Sequence, residues 1–236
     1  MIASKRHHFT PRYYLKKFQN SDGKLWRRDI ASGKVVCGDH NSFGLKNHWN
    51  TLKNPPNGYE RDWAERRIGM VDAYASNALE KLLHGDFSAD MRALAYAMSF
   101  MQHHQPKLKE ELKKSHPKRV EGWTNDWFLI VGLKTALREA RNYIPVQYAV
   151  LQRPTESDAS EFLTSSNPVV SFTNKPSLFF PISNAQCLLI TKDKDAGFGN
   201  PRRFFCDGQT IEGINGLIME NAWQYVYSGS EALIAS

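Results

Sequence analysis

Long hydrophobic runs are missing from this sequence: nothing approaches the roughly 20 consecutive apolar residues that a membrane-crossing helix requires. The opening residues also lack the apolar stretch of a secretory signal, because Lys5-Arg6-His7-His8 follows almost at once. These two absences predict the cytoplasm and no membrane partner. Cysteine is scarce. Cys37, Cys187 and Cys206 are far apart and odd in number, which excludes a disulfide framework and a paired-cysteine zinc site. The strings GxxxxGK(S/T), HExxH and GxSxG are absent too, so the phosphate loop, the zinc-protease helix and the hydrolase elbow drop out.

What is present is the composition of a water-soluble globular chain. The 236 residues are 41% hydrophobic and 23% charged, with a mean hydropathy of −0.52. A compact fold of this length hides roughly 70–75% of its extended-chain surface and needs no disulfide or metal staple. The formal net charge is +7, and all of it lies in residues 1–34, where nine Lys/Arg face only Asp22 and Asp29. The rest of the chain holds 22 basic and 22 acidic side chains. Phe9, Tyr13, Tyr14, Phe18 and Trp26 are interleaved with those N-terminal charges. Ammonium and guanidinium groups neutralise phosphates and flat rings stack on bases, so nucleic acid or a nucleotide is the partner class this mixture would serve. The same mixture also arises when the rings are core and the charges a solvated rim.

Periodicity divides the chain into three blocks and predicts a single α+β domain. Residues 1–58 hold a turn-like Thr10-Pro11, a short helical anchor through Phe18, a hairpin over 24–30 and 34–37, and a loop rich in Gly, Asn and Pro over 38–58. Residues 59–144 are helical. One amphipathic helix ends near Gly85, a second has Ser88 as its candidate N-cap and runs to Pro106, a lysine-rich piece covers 107–114, and a third long helix carries Trp127 to Ala140. Residues 145–236 read as short strands over 146–152, 161–164, 168–172, 178–182, 186–191 and 202–206. A helix capped by Thr210 and a last strand over 224–228 complete the block. The simplest assembly packs the helices on one side of one mostly antiparallel sheet.

Several strings in this order resemble the bacterial domain-of-unknown-function family numbered 4238. They are His7-His8-Phe9-Thr10-Pro11 with Tyr14-Leu15 and Phe18, then Leu25-Trp26, then Phe100-Met101-Gln102 ahead of Pro106. Thr164-Ser165-Ser166-Asn167-Pro168-Val169, Phe180-Pro181-Ile182-Ser183, and Asn215 ahead of Tyr225-Val226-Tyr227-Ser228 complete the match. The resemblance implies an architecture and a set of positions, not a reaction. It also marks a departure: the family's aspartate before Asn-Pro is Ser166 here, so a ligand or proton carrier at that place would be lost. The family's acid on the first long helix falls on Asp72.

Candidate catalytic residues are His7, His8, Asp72, Gln102 and Asn167. Imidazole exchanges protons near neutral pH, and adjacent residues of an extended segment point opposite ways, so one catalytic and one structural histidine is expected. Asp72 or Glu65 would orient an imidazole, while Gln102 and Asn167, held extended by Pro168, would position a ligand. Candidate substrate-binding residues are Arg6, Arg12, Tyr14, Trp26, Arg28 and Ser166. A divalent metal is compatible with these residues, although no ligand motif specifies one; oligomeric state has no signature. Two functions fit: a nuclease or phosphoesterase-like hydrolase with histidine acid/base chemistry, or a non-catalytic nucleic-acid- or protein-binding module using the basic aromatic face. A third option is that both patterns are scaffold.

Overall fold

Pro11, with φ −61°, sets the first turn, since its ring pre-forms the backbone angle a helix start needs. Helix α1 (Arg12–Leu15) follows and tightens into a 3-10 turn over Lys16–Phe18. Tyr14, Leu15 and Phe18 from this short piece are fully buried. Tyr14 donates its single hydroxyl proton to the Pro181 carbonyl at 2.8 Å, so at 2.6 Å it accepts from the Thr164 hydroxyl. Its ring stacks on Phe180 at 5.2 Å. The computed structural model describes residues 6–154, 161–172, 177–194 and 202–235.

Three sheets, rather than the one expected, are present among the described residues. Strands β1 (Arg6–His8), β2 (Leu25–Asp29), β3 (Val35–Gly38) and β4 (Leu45–Asn47) come from the first block. The third block supplies β5 (Gln147–Gln152), β6 (Thr164–Ser165), β7 (Ser177–Pro181), β8 (Gln186–Thr191), β9 (Arg202–Phe205) and β10 (Tyr225–Ser228). β1 pairs with β4, which lies inside the stretch expected to be loop. The hairpin β2–β3 joins the chain's last strand in the order β3-β2-β10-β6, and the remaining four run β7-β8-β5-β9. Among the described residues only the β5·β9 pairing is parallel. Strand 168–172 reduces to one bridge, Val170 to Phe179.

The β2–β10 ladder separates two cores. Alternation turns Leu25 and Tyr227 toward the cluster built on the first two long helices, while Trp26 and Val226 face the cluster under the late helix. Those helices are α2 (Trp63–Leu83), α3 (Met91–His103), α4 (Pro106–Ser115), α5 (Asn125–Glu139), α6 (Gly208–Asn221) and α7 (Ala232–Ala235). α3 packs against both α2 and α5 and buries most of its length. Gly132 lets α5 come close, for a Cβ there would lie 3.0 Å from the His103 carbonyl. Two caps differ from expectation. Asp90 rather than Ser88 accepts from the Arg92 and Ala93 N–H groups, and Asp207 rather than Thr210 caps α6 by accepting from Thr210 N–H. No helix among the described residues is long and apolar enough to cross a membrane.

Asn215 on α6 is a structural clasp. Its Oδ1 accepts from Leu163 N–H and its Nδ2 donates to the Glu161 carbonyl, both at 2.8 Å. Asn215→Ala leaves both backbone groups unpaired, and a buried orphan costs about 1–3 kcal/mol. A loss of about 3 kcal/mol in urea unfolding is expected; a variant as stable as wild type would refute this role.

Candidate functional site

β1 brings His7 inward and places it opposite Lys46 of β4. The ring is 4% exposed. Its Nδ1 accepts the Asn50 backbone N–H at 2.8 Å, so the proton of the neutral ring sits on Nε2. That atom faces Glu65 Oε2 at 3.6 Å, beyond direct hydrogen-bond range. Asn50 also links a second histidine, for its Oδ1 accepts from His104 Nε2 at 2.7 Å. Burial, reinforced by the neighbouring His7, pushes His104 down to about 3. The His104 ring is therefore neutral near pH 7 and no proton carrier there. His8, half-buried, sits on the opposite face of β1, as the strand geometry predicts.

The carboxylate that meets His7 is Glu65, not Asp72. Asp72 lies seven residues on, two turns along the same face of α2, where burial pushes its carboxyl up to about 7. It is close enough to Tyr13 to help burial raise that phenol.

A cavity of about 450 Å³ opens between β4 with the loop after it, the end of α3, α4 and the start of α5. Lys46, Lys53 and Lys109 line it together with Trp49, Thr51 and His104. The Lys46 ammonium sits 4.9 Å from the centre of the Trp49 ring. Lys109 and Lys113 approach the Phe128 ring at 5.7 and 6.0 Å. Burial lowers Lys109, and Lys113 and Lys46 lower it further, against the pull of Glu110. The ammoniums are thus near enough to repel one another. Asp126 is also in the wall, but its carboxylate accepts from Lys53 N–H at 3.1 Å and Asn54 N–H at 2.6 Å. The Thr51 hydroxyl and Trp49 Nε1 are buried with no hydrogen-bond partner. Convergent cations and spare donors are what an anion requires.

Gln102 and Asn167 meet elsewhere. Both line a second cavity of about 330 Å³, with Asn142, Tyr143, Ser171 and Asn221. Gln102 donates to the Val169 carbonyl at 3.0 Å and accepts from the Tyr143 hydroxyl. Asn167 donates to the Asn221 carbonyl at 3.2 Å. His7 lines neither cavity, so the five candidate catalytic residues do not share one hollow.

The expected basic aromatic face is corrected by burial. Tyr14 and Ser166 are at most 1% exposed, out of reach of a ligand. Ser166 Oγ accepts from Gln224 and Tyr225 N–H and so holds β10 in place. Trp26 packs against the core under α6, and Arg28 donates to the Ile234 carbonyl at 3.1 Å. Arg12 is exposed and donates to Asn41 Oδ1 at 3.3 Å. The Arg6 side chain lies outside the described residues. Phe9 and Phe18, read as stacking rings, are core.

A family model described as a protein of unknown function, DUF4238, matches residues 6–232. The chain belongs to this family. No curated protein and no solved structure matches it. Within this DUF4238 chain, two motif residues, Gln102 and Asn167, meet in the second cavity. Among the described residues no three His, Cys, Asp or Glu side chains gather as a metal site. Sequence reasoning missed Asn50 and the lysine cavity. Their signal was the Asn47-His48-Trp49-Asn50 string in a loop otherwise rich in turn formers, with the lysine-rich helix α4 across from it.

Proposed function

We propose that this DUF4238 protein binds a phosphate-bearing ligand of nucleotide size in the lysine-lined cavity. The observation that carries this is the convergence of Lys46, Lys53 and Lys109 on one cavity with the unpaired donors of Trp49 and Thr51. Its volume, about 450 Å³, falls within the range of small-ligand pockets, about 300–1,000 Å³. Spare donors at Thr51 and Trp49 support a ligand rich in acceptor oxygens. Binding is favoured over hydrolysis because the one histidine–carboxylate pair described above, His7 with Glu65, stands outside this wall, whose own imidazoles are His48, His103 and His104. The second reading, hydrolysis, draws on the His7–Glu65 pair alone.

Titration with ATP and with a 5′-phosphorylated oligonucleotide tests the proposal. Each of Lys46→Ala and Lys109→Ala is expected to weaken binding about tenfold, the scale of a hydrogen bond to a charged group, and added salt should weaken it further. Equal affinity in wild type and both variants would overturn it. Turnover abolished by His7→Gln, with binding retained, would establish the second reading instead.

A further inference from the structure

We infer that the second cavity is a binding site for an uncharged ligand that donates hydrogen bonds, chemically opposite to the first. The direction in which each carboxamide is turned decides what the cavity can accept. The side-chain nitrogens of Gln102, Asn167 and Asn221 are directed at backbone carbonyls, Val169, Asn221 and Leu217 respectively. That of Asn142 is directed at a carboxylate, Glu139 Oε2. Each of these partners can only accept, so none of the four amides can be flipped without losing its bond. Their oxygens are thereby assigned. Gln102 Oε1 is taken by Tyr143, the Oδ1 atoms of the exposed Asn142 and Asn221 are open to solvent or a ligand, and Asn167 Oδ1 is left over once its nitrogen is assigned. Asn167 is 8% exposed and its Oδ1 is buried without a partner. A buried acceptor left unpaired is costly, and a ligand N–H or O–H removes that cost.

Among the described residues no charged side chain lines this cavity. The unpaired Asn167 oxygen repels a phosphate or carboxylate, and no described lining residue neutralises an ammonium. The volume of about 330 Å³ admits a nucleobase or a monosaccharide, both of which offer several donors. The shared chemistry is a neutral, multiply donating ring.

Two probes separate the sources: cytidine and N-acetylglucosamine, each titrated by NMR or calorimetry into the full chain. Saturable binding of one is expected, weakened at least about fivefold by Asn142→Ala with Asn221→Ala, two lost hydrogen bonds, and unaltered by Lys109→Ala. Asn142 and Asn221 are exposed rim residues, so the double variant should keep its fold, which far-UV dichroism and urea melts verify. Absence of binding by both probes, or equal affinity in the double variant, overturns the inference. So does binding that follows Lys109, which puts the probe in the first cavity and leaves the phosphate proposal standing.

Discussion

Replacing Asp126 by alanine should cost about 3 kcal/mol of stability, two hydrogen bonds to a charged acceptor at about 1.5 kcal/mol each. Asp126 stands in the first turn of α5, 4% exposed. Its two oxygens hold successive backbone N–H groups, of Lys53 and Asn54, and its charge suits the positive end of the helix dipole. The segment it holds begins just after Trp49 and Thr51, so releasing it also loosens one wall of the lysine cavity. Urea unfolding of Asp126→Ala and Asp126→Asn measures the effect. The asparagine, which keeps one acceptor oxygen, should lose about half as much. A shift below about 0.5 kcal/mol for alanine, the range of ordinary surface changes, would show that the clasp contributes little.

Between about pH 4 and 6.5 the groups His104 and Asp72 should make opposed contributions to stability. His104 is pushed down to about 3 in the fold from an ordinary imidazole value of about 6.5. Below pH 6.5 the unfolded chain takes up a proton that the fold refuses, so His104 removes stability as pH falls toward 3. Asp72 is raised to about 7. Above pH 4 the unfolded chain releases a proton that the fold retains, so Asp72 removes stability as pH rises toward 7. Each contributes a slope of about 1.4 kcal/mol per pH unit within its window, with opposite signs where the windows overlap. Asp72→Asn should therefore gain stability relative to wild type as pH rises from 4.5 to 6.5. His104→Gln, whose side-chain amide can still donate to Asn50, should lose it over the same interval. Urea midpoints at pH 4.5, 5.5 and 6.5 give the answer. Profiles of both variants running parallel to wild type would refute the opposition.

The long helices and the hairpin were readable because their signals are local. Apolar residues at helical spacing over 63–82 and 91–101 correspond to α2 and α3, and Gly85 has φ +81°, just past the end of α2. β1 and β4 were not readable, since three residues are too few to display an alternation. Helix starts were ambiguous for a different reason. Ser88 and Asp90, or Asp207 and Thr210, are all good caps, and only the side chain that reaches the free N–H groups wins.

The site residues divide in the same way. Tyr14 looks like a ligand contact in sequence because a phenol beside charges is ambiguous, and Ser166 because it stands where the family has an aspartate; their burial assigns both to the scaffold. His7 and His8 were expected to point apart, and they do, because that follows from strand geometry. The partners of His7, however, come from the loop before α2 and from α2 itself. The lysines of the first cavity come from β4, the loop after it and α4, while the carboxamides of the second come from the end of α3, the turn after α5, the stretch after β6 and the end of α6. Propensity and hydrophobic period act over a few neighbours, so composition, element type and the α+β class were decided by the chain's own order. Which polar groups share a hollow depends on segments brought together by burial of their apolar faces, and on hydrogen bonds closed across long stretches of chain. That was decided by the tertiary structure.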